Sequence, residues 1–108
     1  MNIQEISSKG IRLSLKVEGK EVGRARIYLI ENDLDHDRPY ALFEDLFVEE
    51  EARGFGYGSQ LVNAAIDLAK KHGCYKIIGT SRHERKRVHQ LYERFGFKDH
   101  GKEFRMDL

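Results

Sequence analysis

The sequence predicts an α/β (α+β) fold: a mixed, mostly antiparallel central sheet with one parallel strand-helix-strand unit and two main helices. Three observations lead there. Two alternating apolar runs flank a glycine turn near the N-terminus. In the middle, a run rich in aromatic and β-branched residues passes through three glycines into a helical pattern. A second helical pattern follows one short apolar strand later.

Taken in order, Ile11, Leu13, Leu15 and Val17 alternate with Arg12, Ser14 and Lys16, which predicts a strand with one solvated face. Glu18 to Glu21 is a turn around Gly19, and Val22 to Ile30 is the returning strand of an antiparallel hairpin. Glu31 to Pro39 is polar and ends in the only proline, so it reads as a loop. Its Asp33, Asp35 and Asp37, with Glu44, fall at calcium-loop spacing. Arg38 stands where such a loop needs a glycine, and a solvated acidic loop that attracts cations at long range is expected, with no metal.

Ala41 to Val48 is the central strand, and Gln60 to His72 repeats its apolar residues at i, i+3 and i+4. Gly73 stops that helix, and Tyr75 to Thr80 is a strand that the right-handed crossover rule makes parallel to the central one. Val88, Leu91, Tyr92 and Phe95 share one face of the second helix, which Gly96 ends. Phe97 to His100 and Glu103 to Leu108 flank Gly101-Lys102 as an expected closing hairpin.

One domain over residues 1–108 suits this length. A net charge of +1 argues against a chain built to coat nucleic acid or an anionic membrane. The single cysteine, Cys74, excludes an intrachain disulfide and reads as a small apolar residue in a reduced, cytoplasmic protein. No apolar run is long enough for a membrane helix, and Met1 to Glu5 lacks the basic start of a signal peptide.

Between the central strand and the helix lies Arg53-Gly54-Phe55-Gly56-Tyr57-Gly58-Ser59. The first amides of a helix have no intrahelical acceptors and sit at the positive end of its dipole, so a glycine turn there exposes an anion site. The stretch is not a dinucleotide fingerprint, because Ser59 occupies the third glycine position, and it is not a P-loop, because it has no lysine.

The spacing Arg-x-x-Gly-x-Gly, filled by Arg53, Gly56 and Gly58, resembles the acetyl-CoA pyrophosphate loop of the GNAT superfamily of N-acetyltransferases. Tyr92-Glu93-Arg94-Phe95-Gly96-Phe97 resembles the Tyr-x-x-x-Gly-Phe signature of that superfamily, and Glu44 to Ser59 is similar to the corresponding run of its diamine acetyltransferases. The likeness covers about Ala41 to Leu108. It departs in two places. The family's first strand and two following helices, which wall the acceptor site, have no counterpart in Met1 to Gly10, so the acceptor pocket is expected to be incomplete or supplied by a second subunit, and the sheet surface left without cover leads to the expectation of a homodimer. Arg85 stands where many members carry an asparagine, and that contact is not carried over.

What the resemblance implies is transfer of acetyl from acetyl-CoA to a primary amine, on a small cationic molecule such as a polyamine or on a protein. Such an amine is mostly protonated at neutral pH, so a general base helps. Glu44 is the candidate, placed by strand alternation on one face with Leu42 and Leu46, whose apolar surroundings would raise its pKa. Asp45, on the other face, is its competitor unless a bulge exchanges their roles. Tyr92 is the candidate acid for the leaving thiolate. Leu46, Phe47 and Val48 would pair with the pantetheine arm through the main chain and hold the oxyanion, and the amides from Arg53 to Ser59, Gly54, Phe55, Gly56, Tyr57 and Gly58 included, would hold the pyrophosphate, with Arg53 adding charge. Two other readings stay open: a non-catalytic CoA-binding module, and nucleic-acid binding through Arg82, Arg85, Lys86, Arg87 and Arg94. For the second, a solvated helix face or the 3′-phosphate of the cofactor accounts for the same charges.

Overall fold

The computed structural model describes residues 1–31 and 37–108. The acidic-loop residues Asp33 and Asp35 lie outside the described residues, so the calcium-like spacing has no structural reading. Strands β1 (Lys9–Val17) and β2 (Lys20–Ile30) form the expected antiparallel hairpin. Its two-residue turn holds Glu18 at φ 52° and Gly19 at φ 78°, the left-handed pair that matches the twist of the strands it joins. Strand β3 (Tyr40–Val48) pairs antiparallel with β2, and β4 (Ile77–Gly79) pairs parallel with β3, giving the order β1-β2-β3-β4.

Helix α1 (Tyr57–Lys71) makes the crossover between β3 and β4, and α2 (Lys86–Arg94) follows β4. Alternation decides which sheet face they cover. Ala25, Ile27 and Leu29 of β2 and Ala41 and Phe43 of β3 are buried beneath Leu61, Val62, Ala65 and Ala69 of α1. The alanines on both layers let the helix lie close to the sheet, and removal of these side chains from water is the main source of stability. Tyr92 brings α2 into the same cluster, so both helices engage one face.

Both helices end in the same way. Cys74 donates from its amide to the Ala69 carbonyl and Gly73 to that of Lys70; Phe97 donates to Tyr92 and Gly96 to Glu93. These are Schellman closures, and in the second the accompanying apolar contact is the stacking of Phe97 on Tyr92 at 5.1 Å. Cys74 is partly buried against the core, which pushes its thiol pKa up, in keeping with a packing role.

The closing hairpin is not formed: the residues from Phe97 onward carry no strand. Phe104, Met106 and Leu108 do alternate, but they are 90%, 82% and 115% exposed. Alternation marks a segment able to pair; a strand also needs a neighbour to supply its hydrogen bonds, and here none is in place.

Candidate active site

The site begins at an irregularity in β3. Phe43 lies opposite Ile27 and Glu44 opposite Arg26, but Arg24 lies opposite Phe47, so Asp45 and Leu46 together face Ala25. This is a β-bulge, and Asp45 takes it up with φ 56°. Aspartate tolerates that left-handed conformation better than most residues. Its carboxylate accepts from Arg24 Nε at 2.9 Å, Arg24 Nη2 at 3.3 Å and Arg26 Nη1 at 2.8 Å. The Arg24 hydrogen bond, with the charges of both arginines, holds the Asp45 pKa below the usual carboxylate range.

The bulge corrects the sequence reading of this strand. Arg24 and Arg26 project from the sheet face away from α1, so Asp45 reaches that face, the one Glu44 occupies opposite Arg26. Leu46 is instead turned to pack against the core. Glu44 is exposed and does not share an apolar wall with Leu46. Asp45 is occupied by two cations and is poorly suited to taking up a proton.

Beyond the bulge, β3 loses its partner on one side. The register with β4 stops at Phe43 opposite Gly79, so the β4-side edge of β3 is open from Glu44 to Val48. Glu49 donates to Val22 of β2 at 2.8 Å, and strand alternation therefore turns the peptide groups of Val48 and Leu46 toward the open edge. The Val48 carbonyl there accepts from Arg53 Nε at 2.9 Å. Arg53 also lies 5.7 Å from the centroid of the Phe47 ring, with Arg24 at 4.7 Å.

A single 3₁₀ turn, Glu50–Ala52, leads from the strand into the glycine stretch. It consumes the Arg53 amide, which donates to Glu50 at 3.3 Å, so the expected row of free amides begins after Arg53. Gly54 and Gly56 have φ 90° and 81°, and Gly56 is the N-cap of α1 with no side chain capping the helix. The first helical hydrogen bond is from Gln60 to Gly56, which leaves the amides of Tyr57, Gly58 and Ser59 at the helix mouth without helical acceptors.

The open edge, the turn and α2 enclose a cleft of about 540 Å³. Leu46, Phe47 and Val48 form one wall, and Arg53, Gly54, Gly56, Tyr57, Gly58 and Ser59 a second. The third wall is made by Arg85, Lys86, Arg87, Val88, Leu91 and Arg94 of α2 and its N-cap; the sequence reading offered its cations as contacts for the 3′-phosphate of the cofactor or as a solvated helix face, and Val88 and Leu91 only as the apolar face of the helix. The spacing of Arg87, Leu91 and Arg94 as one helical stripe was the available signal that they share a wall. Phe55 does not line the cleft; it is 68% exposed, with its ring stacked on Tyr57 at 5.9 Å.

Glu44 and Tyr92 lie outside that lining, at the fork where β3 and β4 part. Tyr92 rests edge-on to Phe43 at 5.9 Å and over Gly79, where a methyl group would stand 3.1 Å from its Cε2. Glu44 is the residue after Phe43. Tyr92 is 8% exposed and its hydroxyl has no hydrogen-bond partner among the described residues. Burial pushes its pKa up, and the nearby Arg85 charge opposes this in part.

An open strand edge beside an uncapped, glycine-led helix is what the sequence resemblance implied, and comparison with known proteins decides the family. Residues 3–97 match the Acetyltransferase (GNAT) family. The chain belongs to the GNAT family. Over 90 residues it is 30% identical to a glucosamine 6-phosphate N-acetyltransferase of Trypanosoma brucei brucei, covering 83% of this chain and 59% of that protein. An uncharacterized N-acetyltransferase of Bacillus subtilis is 29% identical over 91 residues, covering 84% and 60%. Among solved structures, a Trypanosoma brucei acetyltransferase superposes with a TM-score of 0.84 at 27% identity, covering 92% of this chain and 69% of that one. The chain thus spans about six-tenths of the length of these GNAT relatives by sequence. Among the described residues no group of acidic, histidine or cysteine side chains is arranged to hold a metal, and no helix is long and apolar enough to cross a membrane.

Proposed function

We propose that this GNAT domain binds acetyl-CoA in the cleft and transfers its acetyl group to a primary amine by direct attack. The observation that carries the reading is the meeting, in one cleft, of an open strand edge and a row of helix-mouth amides without acceptors. The open edge of β3 at Leu46 to Val48 suits the amides of a pantetheine arm, and the free amides of Tyr57 to Ser59 suit a pyrophosphate. The thioester would then lie toward the fork, with Glu44 on one side and Tyr92 on the other.

Glu44 is the proposed base. Its exposure leaves it open to an arriving ammonium group, and the engagement of Asp45 by two arginines favours Glu44 over it. Tyr92 is the proposed acid. A hydroxyl kept protonated by burial and free of other hydrogen bonds is available to donate to a departing thiolate. The acceptor is a small amine or a protein amine. A polyamine, glucosamine 6-phosphate (the substrate named for a relative) and a peptide bearing lysine form the first panel. The sheet face carrying Arg12, Arg24, Arg26 and Glu44 has no helix over it among the described residues, and a second copy of the chain is proposed to wall the acceptor there.

Melting in the presence of acetyl-CoA, CoA or NAD tests the binding step. A ligand at about 100 times its dissociation constant adds ~2.7 kcal/mol, on the order of 10 °C for a domain of this size. Stabilisation by the two CoA species and not by NAD is expected; no response to CoA removes the proposal. Glu44→Gln and Tyr92→Phe then test the chemistry. Large losses of kcat with CoA affinity retained are expected, and unchanged kinetics in both would leave a CoA-binding module without these catalytic groups.

A further inference from the structure

Glu103 to Leu108 forms an arm with one apolar side. Phe104, Met106 and Leu108 alternate along it and are almost wholly exposed. Between them Arg105 donates from Nε to Asp107 Oδ1 at 2.7 Å, which suits side chains two residues apart on the other side of an extended segment. The chain does not turn this arm back on itself. A two-residue hairpin turn led by glycine needs that glycine in the left-handed region, as Gly19 is between β1 and β2, and Gly101 is not in it. The radius of gyration is 15.3 Å, against about 13 Å for a closed domain of this size, so part of the chain stands off the body. Large apolar side chains gathered in water mark a surface made to meet a partner.

The sheet offers an edge that such an arm fits. Strand β4 is the last in the order, and among the described residues no strand pairs with its side away from β3. Ala41 donates to the Lys76 carbonyl at 3.0 Å on the β3 side, so alternation turns the peptide groups of Ile77 and Gly79 to the free edge. Only Ile77–Gly79 pair, within the longer run Tyr75 to Thr80 whose sequence suits a strand. The core is also thinly covered at this margin, where Ile77, Phe95 and Phe97 pack against it but are only partly buried. A strand added here would satisfy the free peptide groups and lay its apolar side along those three residues. We infer that Glu103 to Leu108 of one copy adds as a strand to the β4 edge of a second copy, and that the exchange is reciprocal in a twofold dimer. The open linker at Gly101 sends the arm outward, which is why a neighbour's edge receives it in place of its own. The exchange names the contact of the homodimer expected from the sequence, and it stands whether or not the cleft binds acetyl-CoA.

Sedimentation velocity over a range of concentrations should show a dimer of the unaltered chain. In Phe104→Asp/Met106→Asp the dissociation constant should rise about a hundredfold or more, because two apolar side chains on each arm no longer leave water. Both side chains are exposed in the single chain, so the circular dichroism of this variant should match the parent; a lost fold would show that the arm packs on its own chain and would overturn the exchange. Photo-crosslinking then locates the contact. Phe104→p-benzoylphenylalanine is used where its sedimentation matches the parent, and otherwise the same probe replaces Leu108. Irradiation should give a band of dimer mass on a denaturing gel, with the adduct mapped by mass spectrometry to Tyr75 to Thr80. An adduct to the same residues at monomer mass overturns the exchange in favour of a strand closed within one chain. A dimer-mass adduct mapped only to other surfaces, or no adduct, overturns it too. So does a monomeric unaltered chain, or a double variant that dimerises with parental affinity.

Discussion

Alanine at Gly56 and alanine at Gly58 should have opposite effects, although only Tyr57 separates the two glycines and neither is crowded. At Gly56 a methyl group would meet nothing within 4 Å, yet the residue sits at φ 81° as the N-cap of α1. An L-residue there costs about 1 to 2 kcal/mol from contact between Cβ and its own backbone. At Gly58 a methyl group would meet only Leu91 Cδ2, at an ordinary 3.6 Å, and the residue lies inside the first turn of the helix. Alanine there gains helix propensity, at most about 1 kcal/mol and nearer half of that in a first turn. With roughly 4 °C per kcal/mol at this size, Gly56→Ala should lower the melting temperature by about 4 to 8 °C and Gly58→Ala should raise it by about 2 °C. Calorimetry on the two variants reads the stabilities directly. Titration with acetyl-CoA adds the second half: Gly56→Ala re-aims the amides of Tyr57 to Ser59 and should weaken binding about tenfold or more, whereas Gly58→Ala keeps them in place and should bind within a few-fold of the parent. Equal destabilisation by both alanines would refute the argument, because it would mean that space and not backbone conformation decides the tolerance of the turn.

Asp45 offers a similar separation of causes. Asp45→Asn keeps a side chain tolerant of φ 56° and should cost about 1 kcal/mol for the lost ion pairs, whereas Asp45→Ala adds about 1 to 2 kcal/mol of backbone strain; denaturant melts giving the two variants equal stability would remove the strain from this account. Gly79→Ala places a methyl group 3.1 Å from Tyr92, so near-ultraviolet circular dichroism should report a displaced ring and kcat should fall more than acetyl-CoA affinity. Acid should expose the carboxylate pairs: Glu21, held by Arg12 and Ser14, is lowered from 4.5 to about 2, and Asp45 is lowered as well. Folded-state pKa values below the unfolded ones mean that this stabilisation is present above about pH 4.5 and is lost as pH falls toward 2; the melting temperature followed over that range should drop, and Arg12→Gln should flatten part of the fall. Tyr92→Phe removes a hydroxyl that has no hydrogen-bond partner among the described residues, so its melting temperature should stay within about 2 °C of the parent and any loss of kcat then belongs to chemistry.

What could be read in the sequence was what is local. Alternation at Ile11, Leu13 and Leu15, helical spacing from Leu61 to Ala69, and glycine stops at Gly73 and Gly96 each express a preference settled within a few residues, and each appears where expected. The cleft was legible for the same reason: φ above zero at Gly54 and Gly56 and an uncapped helix start follow from a short stretch of chain. Features that depend on distant partners were not legible. Alternation through Glu44, Asp45 and Leu46 assigned faces as though β3 were regular, but the bulge depends on Arg24 and Arg26, some twenty residues away, which hold Asp45 in a left-handed conformation. Phe104, Met106 and Leu108 carry a pattern fit for a strand without a neighbour to complete it.

The misread bulge is also what gives the site its shape. A regular β3 would turn Asp45 to the helix side and Leu46 to the face of Glu44, and its peptide groups would reach Val48 in the opposite phase, with the carbonyl that Arg53 now holds directed into β2. One extra residue therefore does three things together: it puts Leu46 into the core, sets Glu44 beside an arginine-bound Asp45, and presents Val48 to the open edge. Deleting Asp45 restores regular alternation and should abolish CoA-dependent stabilisation even where the domain still melts cooperatively, whereas Asp45→Asn, which keeps the extra residue, should retain most of it. A deletion variant that still binds CoA with parental affinity would show that the cleft does not need the bulge.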